Sequence, residues 1–270
     1  MSATNGNAEL TAGRWVVRWK PRRAPLLRVL CFPYAGGGAS VYRTWPDLLP
    51  AEADVCAIQM PGRESRIREA PLRQLAPVVS TIAGAIRPLL DTRFVLFGHS
   101  LGALIAFELA RELGRAGLPG PEHLFVSGRR APQLASTEPP IHAKPAAEFI
   151  RAIRRLEGTP AEFLENPELL DLLLPTLRSD FAVGETYSYL PSRPLDVPLT
   201  AFYGHADKVA TRADAAAWRH QTTRSFTLRG LPGGHFFLRT AQWQMLKAIT
   251  ADLLPLLRQR PVAGSDAQFG

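Results

Sequence analysis

The sequence predicts an α/β fold, in which a mostly parallel sheet is flanked by helices and interrupted by a helical insertion. Short apolar runs alternate along the chain with stretches of helical periodicity, and one proline-rich stretch has no strand pattern. The apolar runs show no alternation with polar residues, which is typical of strands covered on both faces. Alternating strands and helices favour a parallel sheet with right-handed crossovers.

The elements follow one another in a regular order. Strands are predicted at six apolar runs: 27–32, 53–60, 93–97, 122–127, 199–203 and 225–229. Helices are predicted between or after most of these runs, at 74–90, 101–115, 211–220 and 239–257. We therefore expect one core domain, formed by residues 25–140 and 191–258.

The insertion is distinguished by its prolines. From Pro132 to Pro198 the chain has ten of its 24 prolines and only short helical patterns. Proline at this density excludes central strands and interrupts helices. We expect residues 141–190 to form a helical lid over the edge of the sheet, with an irregular pair of crossover helices as the alternative. Residues 1–24 and 259–270 are expected to be flexible tails.

Composition and charge exclude several classes of protein. Of the 270 residues, 46% are apolar and 21% are charged, so the chain can bury a large single core. The net charge is +8, and residues 1–25 supply half of this excess, but no basic run is interleaved with aromatic residues as nucleic-acid binding would require. No apolar stretch approaches the roughly 18 residues that span a bilayer, and the N-terminus has no signal-peptide pattern. We expect a cytoplasmic protein without a membrane segment.

The two cysteines give no indication of a metal site. Cys31 and Cys56 each lie inside an apolar, strand-like run. In that setting a buried free thiol is expected rather than a disulfide or a pair of metal ligands. The sequence therefore predicts neither a metal nor a cofactor.

A serine between two glycines, in FGHSLGA at 97–103, is the strongest chemical signal. FVLFG is typical of a strand that ends at Gly98, and LGALIAFELARELG of a helix that begins at Leu101. Gly98 and Gly102 would let the turn between them fold tightly and hold Ser100 in a strained conformation. The pattern alone also fits a plain glycine turn, but the strand before it and the helix after it favour a nucleophile.

A serine hydroxyl needs a base, and the base needs an orienting acid. His235 follows the last predicted strand and a Gly-Gly pair, so we expect it at the same carboxyl edge of the sheet as Ser100. Phe236 and Phe237 can anchor this loop in the core. His205, on the loop after the preceding strand, is the alternative base. The remaining histidines fit less well: His99, His123, His142 and His220.

Asp207 is the best placed acid, because it directly follows the apolar strand PLTAFYG at the carboxyl edge. Asp196 precedes that strand and falls at the opposite edge. Three further carboxylates fit less well, two in the insertion and one in the first turn of a helix: Asp180, Glu185 and Asp214. The resulting order of Ser100, Asp207 and His235 is the one expected of an α/β-hydrolase.

A second glycine cluster, CFPYAGGGAS at 31–40, follows the first predicted strand. It lacks the lysine and the hydroxyl residue of a P-loop and has no G-x-G-x-x-G spacing, so nucleotide binding is not indicated. A loop in this place, beside the nucleophile, can instead supply an oxyanion donor. We assign the oxyanion hole to the backbone N–H groups of Ala35 and Leu101, with Tyr34 or Gly36 as alternatives to Ala35.

Seven segments together resemble one known family, the stand-alone type II thioesterases of polyketide and nonribosomal peptide assembly lines. The resemblance covers residues 25–257 and is carried by FPYAGGGAS, MPGRESRIREAP, FGHSLGALIAFELA, LFVSGRRAP, LPTLRSDFAVGETY, YGHAD and LPGGHFF. It implies the α/β-hydrolase fold. It also implies that Ser100 is the nucleophile, Asp207 the acid and His235 the base, with oxyanion donors at Ala35 and Leu101.

The resemblance further implies a substrate and a partner. Members of this family hydrolyse stalled or misprimed acyl groups from the phosphopantetheine arm of carrier domains, which tend to be acidic. Arg63 and Arg129 are the first candidates for contact with such a carrier, and Arg66, Arg68 and Arg130 are others. Two alternatives remain open: a carboxylesterase or lipase of small esters, and a non-catalytic subunit that binds carriers on a hydrolase scaffold.

Overall fold

The fold is built around a single seven-stranded sheet, seen in a computed structural model that describes residues 13–136, 138–155 and 167–259. In chain order the strands are β1 (Val16–Val17), β2 (Leu27–Phe32), β3 (Ala53–Ile58), β4 (Phe94–His99), β5 (Leu124–Ser127), β6 (Leu199–Gly204) and β7 (Phe226–Leu231). The spatial order is β1-β3-β2-β4-β5-β6-β7. β1 pairs antiparallel with β3, and all other pairs are parallel.

The helices lie between the strands, as the α/β prediction requires. They are α1 (Leu75–Ile86), α2 (Leu101–Arg115), α3 (Ala146–Arg155), α4 (Pro167–Glu185), α5 (Arg212–Ala216), α6 (Phe237–Thr240) and α7 (Gln242–Arg258). The predicted fold class is confirmed. Because the strands run parallel, the loops that leave β2, β4, β6 and β7 all emerge at one edge of the sheet.

Both faces of the sheet are covered, which explains why the strands carry unbroken apolar runs. On one face, α1 and α2 contribute side chains such as Ile82 and Phe107 to a large core cluster. On the other face, α7 packs with Trp45 and its neighbours against Phe97 of β4. Every residue of β2, β3 and β4 is buried. Burial on both sides fixes the register of these strands and hence the position of the loops that follow them.

The first described residues are bound to the sheet. Val16 lies opposite Ile58 in an antiparallel pair, and Trp15 is only 7% exposed. Arg18 forms an ion pair of 2.5 Å with Asp54, whose side chain is 1% exposed. The prediction of a flexible tail to residue 24 is therefore wrong for residues 13–24, because two valines extend the sheet and the basic side chains have acidic partners. Residues 1–12 of that predicted tail lie outside the described residues.

Most of the predicted C-terminal tail, residues 259–270, lies outside the described residues. Gln259, its first residue, accepts a hydrogen bond on its backbone oxygen from Arg93 at 3.0 Å. Residues 260–270 lie beyond the described part.

Where it is described, the insertion contains two helices, α3 and α4, flanked by non-helical segments at 141–145 and 186–190. α3 and α4 pack through a small cluster of their own, formed by Phe149, Ile153 and Leu177. α4 continues through Pro175, so this proline does not interrupt the helix. No strand occurs in the described residues of 138–155 and 167–190. The separate cluster is what a lid would need, and the lid itself stays a prediction.

Two further predictions from the sequence are that both cysteines are buried free thiols and that the protein has no membrane segment. Cys31 and Cys56 are both buried free thiols, as their apolar strands indicate. Within the described ranges no helix is long and apolar enough to cross a bilayer. A cytoplasmic location stays a prediction of the sequence.

The Arg18–Asp54 pair provides a test of the N-terminal anchor. We expect Arg18→Ala to lower the free energy of unfolding by about 2–3 kcal/mol, because it leaves the buried Asp54 carboxylate without its cation. Lys20→Ala is the matched control, since Lys20 and Asp47 are both more than half exposed and an exposed pair contributes about 1 kcal/mol or less. Urea unfolding measures both. Equal, small losses would mean that residues 13–24 are as loose as the sequence suggests.

Candidate active site

The turn between β4 and α2 holds a serine in a backbone conformation that residues other than glycine rarely adopt. β4 ends at His99 and α2 begins at Leu101, so Ser100 alone makes the transition. Its φ is 53° and its ψ −114°, in the left-handed half of conformational space. Such strain persists only where the surroundings enforce it, and it exposes the hydroxyl at the carboxyl edge of the sheet.

Two glycines make the turn sterically possible. A Cβ on Gly98 would lie 2.1 Å from the carbonyl oxygen of Gly102. A Cβ on Gly102 would lie 2.1 Å from the carbonyl oxygen of Phe32 in the neighbouring strand. Both distances are far inside van der Waals contact with backbone atoms that cannot move aside. The strand, the turn and the helix therefore meet at a point where only glycine fits.

His235 lies over the serine. It belongs to the loop between β7 and α6, is 8% exposed, and has its Nε2 3.1 Å from Ser100 Oγ. Phe237, two residues further on, is fully buried, and the Phe236 ring meets the imidazole edge-on at 5.2 Å. The loop is thus held from within the core, and the imidazole can accept the proton of the serine hydroxyl.

Asp207 completes a hydrogen-bonded chain from the other side. The Nδ1–H of His235 donates to Asp207 Oδ2 at 2.9 Å, which leaves Nε2 as the acceptor toward Ser100. The other carboxylate oxygen accepts from the amides of Val209 and Ala210 at 2.8 and 3.0 Å. Burial alone would raise the pKa of Asp207, but the bonds from His235 and the two amides outweigh it and the pKa lies below its usual value. The carboxylate therefore stays ionised at neutral pH.

The other predicted candidates lie elsewhere. His205 is exposed, with its ring against Tyr203 rather than the serine. The alternative acids have other partners: Asp196 pairs with Arg224, Asp180 with Arg63, and Glu185 with His142, while Asp214 caps α5 through Thr211. Of all these groups, the described structure brings together Ser100, His235 and Asp207. Across the described residues, no three His, Cys, Asp or Glu side chains are grouped as metal ligands would be.

His99 lies beneath the site as a neutral group. It is fully buried, its Nδ1 is 2.9 Å from Ser127 Oγ, and its ring centre is 5.3 Å from that of His235. Burial, helped by the nearby His235, lowers the pKa of His99 to about 3. No extra positive charge therefore competes with the one that His235 acquires when it takes a proton. From its place in the sequence His99 fits the role of base less well than His235, and its burial beneath the turn agrees with that.

The assigned oxyanion donors follow two adjacent strands. Leu101 is the first residue of α2, so its N–H has no partner within the helix. Ala35 lies in the glycine loop after β2, and among the described residues neither N–H has a protein acceptor. Gly36, one alternative to Ala35, already donates its N–H to Asp180 Oδ2 at 2.7 Å. Ala35 and Tyr34 remain as candidates on this loop.

A narrow chamber lies beside the serine, between α2, α4 and the loop that follows β3. Its cavity is about 10 Å³, roughly the room of one water molecule. It is lined by Met60, Pro61, Arg63, Leu72, Val78, Leu101, Ile105, Asp180 and Val183. α4 therefore forms one wall and is closed onto the chamber.

The two leading carrier-contact candidates differ in their surroundings. Arg63 is 3% exposed and binds Asp180 through two bonds of 2.8 Å, so its assignment to a partner surface is wrong. Arg129 is only partly exposed, burial lowers the pKa of its guanidinium to about 10, and no acidic partner is found for it among the described residues. A methyl group placed on Gly184 of α4 would lie 3.8 Å from this guanidinium and 3.6 Å from Leu101.

Internal pairing also accounts for two of the other arginines. Arg66 is buried, stacks on Trp15 and binds Glu69. Arg130 lies 3.5 Å from Asp214. The sequence does not separate these from Arg129, because Trp15 is remote along the chain from Arg66 and Asp214 is remote from Arg130.

The glycine contacts predict a strong asymmetry between two alanine substitutions. Gly102→Ala should remove most activity and lower the Tm, because its Cβ would collide with the Phe32 carbonyl. Gly84→Ala, inside α1 with nothing within 4 Å of its Cβ, should instead raise stability by about 0.5–1 kcal/mol. Thermal unfolding and ester hydrolysis measure both. Wild-type activity in Gly102→Ala would contradict the tight turn.

Comparison with known proteins identifies the family. A family model described as a thioesterase domain matches residues 27–253. The gramicidin S biosynthesis protein GrsT of Aneurinibacillus migulanus is 43% identical over 240 residues, which cover 89% of this chain and 94% of GrsT. The RedJ thioesterase of the prodiginine pathway in Streptomyces coelicolor is 40% identical with a TM-score of 0.81, over 88% of this chain and 95% of RedJ.

A third relative is described as a type II thioesterase, BorB of the borrelidin biosynthetic cluster. It is 34% identical with a TM-score of 0.81, and the match covers 90% of this chain and 98% of BorB. Similarity of this extent, along nearly the whole of each relative, confirms the resemblance in the sequence: the chain belongs to the thioesterase family, as a type II thioesterase with the α/β-hydrolase fold.

Proposed function

We propose that this protein hydrolyses acyl groups, such as stalled or misprimed ones, from the phosphopantetheine arms of carrier domains in a polyketide or nonribosomal peptide assembly line. The observation that carries the proposal is the hydrogen-bonded chain from Ser100 Oγ to His235, at 3.1 Å, and on to Asp207, at 2.9 Å. The relatives support the substrate class, since GrsT is a gramicidin S biosynthesis protein and RedJ is a thioesterase of the prodiginine biosynthetic pathway.

In the first half of the reaction, Ser100 becomes acylated. Its Oγ attacks the thioester carbonyl carbon while His235 Nε2 takes the hydroxyl proton, and Asp207 stabilises the resulting imidazolium. The negative charge that develops on the carbonyl oxygen is held by the amides of Leu101 and Ala35. The carbon–sulfur bond then breaks, and the proton on His235 passes to the departing thiolate.

In the second half, water releases the acyl group. His235, neutral again, takes a proton from a water molecule whose oxygen attacks the acyl-serine carbonyl carbon. The same two amides hold the charge on the oxygen. The bond to Ser100 Oγ breaks, His235 returns the proton to the serine, and a free carboxylic acid leaves.

The thioester makes the first half of the reaction easier than it would be for an ester. A thiol has a pKa of about 8.5, so its thiolate departs more readily than an alkoxide would.

The chamber must open for an acyl group to enter. Its cavity of about 10 Å³ is far smaller than the roughly 300 Å³ or more of typical ligand pockets. α4, with Asp180 and Val183 on the chamber wall, shares a small apolar cluster with α3 that is separate from the main core. We therefore propose that residues 141–190 act as a lid that moves to admit the arm.

The acidic carrier is matched by the charge of the protein. The net charge of +8 favours association with an acidic partner. Arg129 is the best candidate for a direct contact with an anionic group of the carrier or its arm, because it has no acidic partner among the described side chains. Burial, together with Arg130, lowers its pKa to about 10, yet it remains charged at neutral pH.

Substitution of the hydrogen-bonded chain tests the chemistry. We expect Ser100→Ala and His235→Ala each to lower kcat by about three or more orders of magnitude, and Asp207→Asn by somewhat less, because each removes a step of the proton path. His205→Ala, the alternative base, should keep wild-type kcat. Single-turnover hydrolysis of an acyl-carrier protein measures these. Full activity in Asp207→Ala would place the acid elsewhere.

A substrate panel tests the proposed specificity. We expect kcat/KM to be higher for acyl-carrier proteins than for p-nitrophenyl esters of the same acyl groups. Arg129→Met should lower kcat/KM on the carrier and leave ester hydrolysis unchanged. A preference for the free esters, without any response to the carrier, would indicate a carboxylesterase. Absence of Ser100 labelling by a fluorophosphonate would indicate a non-catalytic carrier-binding protein.

A further inference from the structure

A buried ion pair connects the lid to the loop that carries Ala35. Arg63, after β3, and Asp180, in α4, are 3% and 2% exposed and face each other fork to fork, with both N–O distances 2.8 Å. The function described so far uses neither side chain. Both line the chamber beside the nucleophile, so their contacts bear on the site.

The pair holds the glycine loop at two of its peptide groups. Asp180 Oδ2 accepts the N–H of Gly36 at 2.7 Å, and Arg63 Nη1 donates to the carbonyl oxygen of Gly37 at 3.0 Å. The Gly37 N–H in turn donates to the Tyr34 carbonyl at 2.9 Å and closes a four-residue turn, in which Gly36 has a φ of +78°. Ala35 is the second residue of this turn.

This arrangement fixes the peptide group most able to rotate. The central peptide of a four-residue turn, here between Ala35 and Gly36, can flip and so interconvert turn types that differ in the φ of the third residue. The Asp180 carboxylate holds the N–H of this peptide and opposes the flip. The same bond ties the peptide attached to the Cα of Ala35 to α4, so it restrains the position of Ala35, and with it the Ala35 N–H, beside the chamber.

Stability alone does not account for a charged pair in this place. Removing two ions from water costs several kcal/mol each, and apolar side chains of similar volume often stabilise a fold as well or better. Such side chains could fill the space but could not direct a hydrogen bond to Gly36. The contribution particular to Asp180 is therefore the orientation of the loop.

We propose that Asp180 is a positioning residue, which aligns the Ala35 amide for the oxyanion through its bond to Gly36. Arg63 orients the carboxylate that makes this bond. The inference rests on the proposed function, since it concerns the same reaction. Its consequence is that the oxyanion hole is complete only when α4 is seated on the chamber, so the position of the lid and the chemical step are linked.

The decisive variant replaces the pair without leaving a charge unpaired. Arg63→Met/Asp180→Leu should fold with a Tm close to that of the wild type. Its kcat should fall about 10- to 100-fold with little change in KM, less than the 10²–10³ found when an oxyanion donor is removed outright. Asp180→Asn retains the shape and one oxygen of the side chain and should show a smaller fall. In each case kcat is expressed per folded protein from circular dichroism, so that a partly unfolded variant is still informative.

Glu185→Gln is the matched control. Glu185 lies on the same helix, but its carboxylate accepts from the amides of Ile141 and His142 and makes no bond to the glycine loop. It should leave kcat unchanged. A double variant with wild-type kcat per folded protein, or an equal loss in Glu185→Gln, would overturn the positioning role.

A second readout separates this inference from the proposed function. The rate of Ser100 labelling by a fluorophosphonate requires the oxyanion hole but no carrier, so it should fall in the double variant in parallel with kcat. If the wild type hydrolysed no acyl-carrier thioester, the proposed function would fail. The difference in labelling rate would still test Asp180, and equal labelling rates would reject it.

Discussion

The strained backbone of Ser100 is the constraint on which the rest of the site depends. Its left-handed conformation is enforced because β4, α2 and β2 meet at Gly98 and Gly102, with no room for a Cβ at either glycine. The strands on both sides are fully buried, so the surrounding core offsets the local strain. One turn thereby determines both where the hydroxyl lies and where the first free amide of α2 points.

Hydrogen-bond partners, rather than burial, determine which of the groups at the site are charged. His99 and Asp207 are both buried, yet burial leaves His99 neutral while Asp207 stays ionised. The difference arises because Asp207 accepts three hydrogen bonds, from His235 and two amides, whereas His99 is paired with the neutral hydroxyl of Ser127 and the attraction of Asp207 does not outweigh its burial. The site therefore has a single fixed negative charge, directed at the imidazole that must become positive during catalysis.

The sequence predicts those structural features that are determined by residues close together along the chain. Each of the six predicted strands occurs within two residues of its expected bounds, and for β2, β3 and β4 the reason is burial on both faces, which leaves a largely apolar run. The glycines around Ser100 can also be recognised in the sequence, because a tight turn needs them within two residues of the serine. Arg63 is different: its partner Asp180 is 117 residues away, and nothing beside Arg63 distinguishes it from a surface arginine. A run of two residues, Val16 and Val17, is too short to predict an edge strand. α4 passes through Pro175 because the packing of the helix outweighs the one backbone hydrogen bond that the proline removes.

α4 is attached through a small apolar cluster and through polar contacts. Among the described residues, its cluster with α3 has three buried side chains, one of which is Leu177, and Val183 joins the main core. The contacts that fix its position over the chamber are polar: Asp180 to Gly36 and Arg63, and Thr176 to the carbonyl of Gly62. Polar contacts are directional and can be exchanged for water when the helix lifts, whereas a large apolar interface could not open at comparable cost. A lid held in this way can both admit an acyl chain and return to one defined position over the serine.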